Sequence, residues 1–523
     1  MSLLDDVSLM ITPNGVSRNV LFGVLPTPTF SYEKIDLTSG ATSEPSEWGS
    51  ITTNGIKKLT SSATTYYETG FTVTTGKTYE ASFTLSDYSG SSTMGFSNQG
   101  GVPSSIRLSG NGSVSGYFTA TANAQLQLYG LSTNTGTFSN VSVKEVTTSD
   151  MDFTRATSAT RVNPSGLVDG ITTGLPRLDY RVSESCPHIL VEPQRTNLLD
   201  DSNAAASLRE VTLTNTTSPD GTANALKLTE TTANDQHFAT ISEATVSSGS
   251  VYTMSIFIKK GTQSSVRIYT QSSKINSDIT VDLDAGSVAV AGADVVTGSG
   301  TISNYGNGWY RVAWGGTCSG SGAMSIYATV KDLTTYTGST SEYTEYFGGQ
   351  VELGSYATSY IPTSGSTVTR NGEVFERTGI ADLIGTAGVL YLEAASAGTG
   401  IQQTIALSAG TTGNRVIFYY TASGNIAFQL KVGGSAVASG SVTGMTQTDF
   451  HKFAIRYQDD SFQLFIDGVK KKDVAGTFTI PVFDRLLFDN GAGAGASAFY
   501  GKIRNLQLYK TALTEAKCIS LTT

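Results

Sequence analysis

Histidine and cysteine are almost missing from this chain: three of each occur in 523 residues, and only 15% of the residues are charged. Cys186, Cys318 and Cys518 are odd in number and widely spaced, which suits neither a disulfide framework nor a zinc knuckle. His188, His237 and His451 stand in no H-E-x-x-H or comparable ligand spacing, so a catalytic zinc is not expected. A G-x-S-x-G elbow and a P-loop are also lacking. No apolar run approaches the roughly 20 residues that span a bilayer, so membrane insertion is not expected. "MSLLDDVSLM" has no basic region ahead of its apolar residues, and no ordinary signal peptide is read there. The net charge of −9 and pI of about 5.0 argue against wrapping nucleic acid. The run Lys470–Lys472 reads as a solvated hairpin.

What the chain has is glycine (56 residues), serine, threonine and regularly placed Val, Ile, Tyr and Phe. This is β-sheet composition rich in turns. The length predicts two to four domains. "KTYEASFTLSDY" and "VYTMSIFIKKG" alternate apolar and polar residues as half-buried strands do. The clearest helix signal is "TALTEAKCISL", with Thr511 or Thr514 as its cap.

An internal repeat organises the first two thirds. "TVTTGKTYEASFTL" (72–85) aligns without gaps on "TVSSGSVYTMSIFI" (245–258), sharing Thr72/Thr245, Gly76/Gly249, Tyr79/Tyr252 and Ser82/Ser255. "KLT" recurs at Lys58 and Lys227, and "GTFSNVSVKEV" holds the place later held by "TEYFGGQVELG". So long a period makes each copy a domain. Each copy resembles the jelly-roll carbohydrate-binding modules related to families 4 and 9. The second copy adds "VDLDAGSV" and "NYGNGWYRVAW", also typical of that group; the first is shorter and lacks the latter segment.

The last 150 residues differ. "DFHKFAIRYQDDSFQLFIDGVKKKDVAG" reads as two strands around "QDD" and a turn at Asp467-Gly468. With "FYGKIRNLQLYKTALTEAKCISL" it resembles the laminin-G/concanavalin-A-like lectin sandwich. The fold expected for the chain is therefore all-β: two jelly-roll β-sandwiches and a C-terminal concanavalin-A-like β-sandwich, with little helix.

Between the repeats lies "MDFTRATSATRVN". Arg155, Arg161, Arg177, Arg181 and Arg195 are five of the sixteen arginines, gathered in about a twelfth of the length. On a single strand Arg155 and Arg161 would share a face about 20 Å apart at about 3.3 Å per residue, too far to clamp one phosphate. Arg155, Arg161, Arg177 and Arg195 are read as a packed structural junction, with a ligand site as the alternative. "SLLDDVSLMITPNG", "FTRATSATRVNPSGLV", "PRLDY" and "CPHILVEPQRTNLL" resemble segments of structural proteins of tailed bacteriophages. There the first segment runs almost directly into the second; in this chain a jelly roll sits between them like an insertion. The expected divisions are 1–28 (virion attachment), 29–148 (inserted jelly roll), 149–196 (junction pairing with 1–28), 197–368 (second jelly roll) and 369–523 (lectin domain).

Sugar binding needs exposed aromatic faces with planar polar groups. In "NGWYRVAW", Trp309 and Arg311 point one way and Tyr310, Val312 and Trp314 the other, so one of those faces is core. Trp309, Tyr310, Arg311, Trp314 and Tyr419 are the candidates, with buried core as the plainer reading of Trp309, and Tyr66, Tyr67 and Trp48 are weaker ones in the first copy. A glycosidase would need two carboxylates about 5–9 Å apart; E-x-D-x-E is absent, and Glu342, Glu345 and Glu352 fit a solvated strand. No cofactor is expected beyond an optional structural calcium at Asp282 and Asp284, with Asp220, Asp459 and Asp460 as further candidates or simply turns.

The resemblances imply a non-enzymatic phage fibre, spike or head-decoration protein on the virion surface, made in the host cytoplasm. Its partners would be capsid or tail proteins, copies of itself (a trimer is favoured) and host-surface glycans. Two alternatives stand beside this reading. One is a purely structural decoration protein without a glycan ligand, the other a glycan-degrading enzyme with ancillary modules.

Overall fold

The computed structural model describes residues 7–17, 20–23, 47–52, 55–61, 63–75, 78–146, 151–182, 186–270, 273–493 and 495–523. The start of the expected first jelly roll, residues 29–46, and the repeat position Gly76 lie outside them. Among the described residues α-helix is confined to Ala381–Ile384 and Glu515–Thr522. The Thr514 side chain caps the second of these through the Lys517 amide. Nearly everything else regular is antiparallel strand. The fold is all-β.

The chain forms two compact units, one of residues 25–149 and one of residues 1–24 with 150–523. The smaller unit is a two-sheet sandwich. One sheet has the order Thr65–Val73, Ala124–Gly130, Met94–Phe96, Arg107–Leu108; the other has Trp48–Thr52, Gly55–Lys58, Thr135–Val146, Thr78–Ser89, Gly112–Thr119. Alternation puts Tyr67, Phe83, Phe96, Leu128 and Phe138 into the core between them, where period-two residues belong.

In the larger unit, residues 205–353 build a second sandwich of two six-stranded sheets. The repeat is visible in a shared detail. The Tyr79 hydroxyl accepts a hydrogen bond from the Thr74 amide at 2.8 Å, and that of Tyr252 accepts one from the Ser247 amide at 2.9 Å. Each tyrosine satisfies a backbone donor where the chain turns between two strands.

The C-terminal sandwich takes five strands from far upstream, Leu9–Ser17, Val20–Gly23, Met151–Thr154, Arg177–Asp179 and His188–Val191. Met151–Thr154, Val20–Gly23 and Leu9–Ser17 lie in sequence between Val374–Thr378 on one side and Gly501–Tyr509 on the other. Leu9–Ser17 pairs with Gly501–Tyr509 at Leu506–Leu508, and His188–Val191 pairs with the same strand at Gly501–Ile503. Leu9, Ile11, Met151, Phe153, Ile189 and Val191 are buried in the core of the C-terminal sandwich. Residues 150–196 fall in one compact unit with the C-terminal sandwich, because their strands complete its sheet. The expected turns at Asp459-Asp460 and Asp467-Gly468 fall between strands, with Asp460, Asp467 and Gly468 at positive φ.

"MDFTRATSATRVN" is not a single strand. Met151–Thr154 joins the lectin sheet, the chain bends, and Ala159–Val162 forms a hairpin with Val168–Ile171. Arg155 and Arg161 therefore do not share a strand face.

Candidate functional site

Arg155 and Arg177 are buried with Arg370, Glu192 and Glu373. Arg177 grips Glu373 with a bidentate fork, 2.7 Å at both oxygens, and reaches Glu192 at 2.8 Å. Arg155 meets Glu373 at 3.0 Å and Arg370 meets Glu192 at 2.7 Å. Ser359 joins through its hydroxyl to Glu192 and Arg177. Planar guanidinium suits such bidentate recognition. Burial alone would raise the Glu192 carboxyl, but Arg370 and Arg177 outweigh it and hold the group well below the usual carboxylate range. Burial lowers Arg155, which remains paired to Glu373. Every carboxylate here is taken up by arginine, and the network ties the junction to the exit of the second sandwich and the entry of the lectin domain. A cleft of about 620 Å³ opens beside it, but Arg155 and Glu373 in its wall are held by each other.

Arg161 is half-buried, paired to Asp169 at 3.2 Å and donating to the Leu178 carbonyl. Arg195 lies over the Tyr356 ring at 5.3 Å. Neither joins the five-residue network.

The aromatic candidates of the second copy are largely interior. Trp309 is 2% exposed and Trp314 0%, and Arg311 is buried as well. Trp314 donates from its indole to Ser277 at 3.0 Å, and Arg311 donates to the Thr358 carbonyl at 2.6 Å and to Ser255 at 2.9 Å. The strand Trp309–Thr317 is covered on both faces. Val312 and Trp314 enter the sandwich core, and Trp309 packs with Phe257, Phe347 and Tyr360 beneath Val162 and Val168 of the junction hairpin. A side chain enclosed in this way offers no ring to a sugar, which corrects the expectation for Trp309, Arg311 and Trp314. Tyr310 is partly buried against the core. Tyr419 is half-buried on Arg415–Tyr420, in another sheet, and is brought together with none of the others.

The calcium candidates are occupied by turns. Asp282 accepts from the amides of Asp284 and Ala285, and Asp284 pairs with Lys260 at 2.6 Å. Asp220 holds Ser218 and Thr222, while Asp459 and Asp460 accept from Ile480 and Phe478. Among the described residues no group of three or more His, Cys, Asp or Glu is placed to hold a metal ion.

An aromatic set with Tyr66 exposed and Tyr129 half-buried lies in the first copy. One row crosses its four-stranded sheet: Tyr66 opposite Tyr129, Tyr129 opposite Gly95, Gly95 opposite Arg107. Tyr66 is 45% exposed, while Tyr67 and Trp48 are buried. The Tyr66 and Tyr129 rings stack at 6.3 Å with planes 27° apart, and the Arg107 guanidinium sits 4.6 Å from the Tyr129 centroid. Gly95 makes this possible: a Cβ there would come within 3.0 Å of Arg107 Cγ and 2.7 Å of the Ile106 carbonyl oxygen. Arg107 Nε donates to the Phe96 carbonyl at 3.0 Å, which fixes the guanidinium. Thr93 meets the Tyr129 hydroxyl at 3.2 Å, and Glu68 and Gln127 face each other in the adjoining row.

The corresponding sheet of the second copy closes the same kind of set upon itself. Thr240, Tyr327, Tyr269 and Asp278 form the row. The two tyrosine rings stack at 4.6 Å and 2°, Arg267 covers Tyr269 at 4.5 Å, and Phe238 meets Tyr327 edge-on at 5.3 Å. Arg267 is neutralised by Asp278 through contacts of 2.7 and 2.6 Å. Burial pushes the Tyr269 phenol up to about 12, although Arg267 opposes it. Sequence reading missed Arg107, Tyr129, Arg267, Tyr269 and Tyr327. The one signal available was an aromatic or arginine on the polar side of an alternating strand, as in "SVRIYT" and "AQLQLYG".

The family described as the concanavalin A-like lectin/glucanases superfamily matches residues 390–518. No curated protein matches the chain. Among solved structures, the CBM40 of the Ruminococcus gnavus IT-sialidase is 17% identical over 27% of this chain and 84% of its own, with a TM-score of 0.24. The leech intramolecular trans-sialidase is 22% identical over 27% of this chain and 23% of its own, at 0.23. The NanB sialidase from Streptococcus pneumoniae is 16% identical over 28% and 26%, at 0.25. Likenesses of that size bear on neither ligand nor reaction. Its C-terminal sandwich, folded from residues 390–518 together with strands borrowed from upstream, is similar to concanavalin A-like lectins and glucanases.

Proposed function

We infer that this chain is a glycan-binding adhesion protein of a tailed-phage particle, displayed as a fibre, spike or decoration and acting without catalysis. The observation that carries the glycan reading is the Tyr66–Tyr129–Arg107 row across the four-stranded sheet of the first sandwich, in which Tyr66 is exposed and Tyr129 and Arg107 are half-buried. Aromatic rings with fixed planar polar neighbours are what a pyranose stacks on. The particle reading rests on the likeness of "FTRATSATRVNPSGLV" and "CPHILVEPQRTNLL" to phage structural proteins, segments that here anchor the lectin sheet. Attachment through capsid or tail partners and assembly as a trimer belong to the same proposal. A shallow site binds weakly, and several copies on one particle multiply that binding.

Two measurements on intact particles test it. Labelled antibody against the chain should decorate the particle surface. Tyr66→Ala with Tyr129→Ala should reduce particle adsorption to host cells at least tenfold without changing assembly. Unchanged adsorption would leave a purely structural decoration protein as the better reading, and an unlabelled particle would remove the virion assignment.

A further inference from the structure

We propose that the cleft of about 620 Å³ beside the arginine network is a glycan site in its own right, taking an uncharged oligosaccharide. It lies wholly within the larger unit and does not depend on the row of the first sandwich. Residues 154–156, 194 and 371–376 of its wall stand outside the family-matched span 390–518. The site is therefore built by this chain's own junction. Three observations carry it.

The first is a set of polar groups with hydrogen-bonding capacity left over. Asn371 donates its side-chain amide to the Gln194 oxygen at 3.2 Å, which leaves the Asn371 oxygen as an acceptor and the Gln194 nitrogen as a donor. The Asn371 backbone amide donates to the Thr157 hydroxyl at 2.8 Å, which positions the pair. The Tyr500 hydroxyl and the Glu376 carboxylate, both on half-buried residues, have no hydrogen-bond partner among the described residues. Burial raises the Tyr500 phenol against the pull of Arg195, so it remains an O–H donor across the neutral range. A sugar hydroxyl both donates and accepts, and planar amides and carboxylates can meet two neighbouring hydroxyls at once.

The second is charge. Arg155 is paired with Glu373 at 3.0 Å and donates its other N–H groups to the carbonyls of Thr157 and Thr172. Asp489 accepts from the Gly491 and Gly495 amides at 2.8 and 2.9 Å. Glu376 forms no ion pair among the described residues, so its charge repels an acidic sugar while its oxygens accept from a neutral one.

The third is shape. The volume falls within the range of about 300–1,000 Å³ that small-ligand sites occupy. Asp489 gathers the chain around Gly491 and Gly495 into a wall without side chains. Gly493 and Gly495 take φ of +73° and +70°, a backbone conformation that favours glycine and lets main chain approach a ligand closely. Phe488, Leu487 and the exposed Val374 add apolar surface to the same cleft, which the C–H faces of a pyranose can cover.

The test is calorimetric titration of the full chain with maltohexaose, cellohexaose, mannohexaose and, as the acidic counterpart, hexagalacturonide. At least one neutral probe should bind, at least tenfold tighter than the acidic one. Gln194→Ala and Glu376→Gln should each weaken that probe at least fivefold. Gln194 is exposed and Glu376 half-buried, so neither change opens the core. Glu376→Gln should also narrow the gap to hexagalacturonide. In a chain carrying Tyr66→Ala and Tyr129→Ala the same neutral probe should still bind, with the same loss on Gln194→Ala, so the cleft stands even if the row fails. Loss of all binding in that double variant would assign the sugar to the row and overturn the cleft. So would the failure of every neutral probe, equal affinity for the acidic one, or an affinity untouched by Gln194→Ala and Glu376→Gln.

Discussion

Arg177 and Glu373, 196 residues apart in sequence, are joined by two parallel hydrogen bonds of 2.7 Å with no side-chain exposure at either residue. Arg155 shares the same carboxylate at 3.0 Å. Glu373→Gln thus takes the carboxylate from Arg155 and leaves Arg177 with Glu192 alone, which it shares with Arg370. Breaking a buried pair costs about 3–5 kcal/mol because the remaining charge has no water. The expected outcome is a lower thermal midpoint for the larger unit, measured by calorimetry, with the smaller unit's transition unmoved. A midpoint equal to that of the parent chain would show that the network is dispensable.

The same network makes the larger unit acid-sensitive. Glu192 is held below its ordinary value of 4.5, with burial outweighed by Arg370 and Arg177. Asp179 is likewise held below 3.8, with burial outweighed by Arg181 and His188. Both are depressed in the folded state, so the unfolded state binds more protons as the pH falls. Their contribution is complete above the ordinary carboxylate range and is lost progressively below it. The thermal midpoint should stay level from about pH 7 to 5 and then fall. Glu192→Gln should start lower and fall less steeply; an unchanged acid slope would assign the sensitivity elsewhere.

Residues 25–149 should be removable. Leu21 stands opposite Met151 and Val20 opposite Asp152, so the two ends of the larger unit already face each other as a hairpin does. A chain with Val24 joined to Asp150 by a short Gly-Ser loop should fold, with the lectin core's calorimetric transition retained. It should also lose glycan binding that depends on Tyr66. Aggregation of this shortened chain would mean that the strands Val20–Gly23 and Met151–Thr154 need the smaller unit to meet.

Residues 199–365 alone should be soluble only in part. Phe257, Trp309 and Phe347 pack against Val162 and Val168 of the junction, and cutting the junction away uncovers them. Increased binding of a hydrophobic dye relative to the full-length chain is the expected result. Equal dye binding would show that the second sandwich buries this face by itself.

For the intact chain, the proposed self-assembly predicts a mass that is a multiple of 54.9 kDa at micromolar concentration. Sedimentation at the single-chain mass would restrict multivalency to the particle.

The sequence was explicit where an element answers to its own neighbours. Period-two alternation in "KTYEASFTLSDY" marked a strand, "TALTEAKCISL" announced its helix with Thr511 or Thr514 as the cap, and the shared Tyr79 and Tyr252 marked the repeat, because turn chemistry and one-sided burial act over a few residues. The concanavalin A-like C-terminal domain was legible through the resemblance carried by "FYGKIRNLQLYKTALTEAKCISL". Only the tertiary structure decided which surfaces are closed. Alternation said that "NGWYRVAW" has two faces and that one is core. It could not say that Val162 and Val168, some 150 residues upstream, cover the other, so alternation leaves Trp309 open between core and sugar ligand. Nor could it align Tyr66, Tyr129 and Arg107, whose meeting depends on strand order and on the missing side chain of Gly95. Register between strands distant in the chain is set by the packing of whole sheets, and a one-residue slip would turn every one of those side chains to the other face.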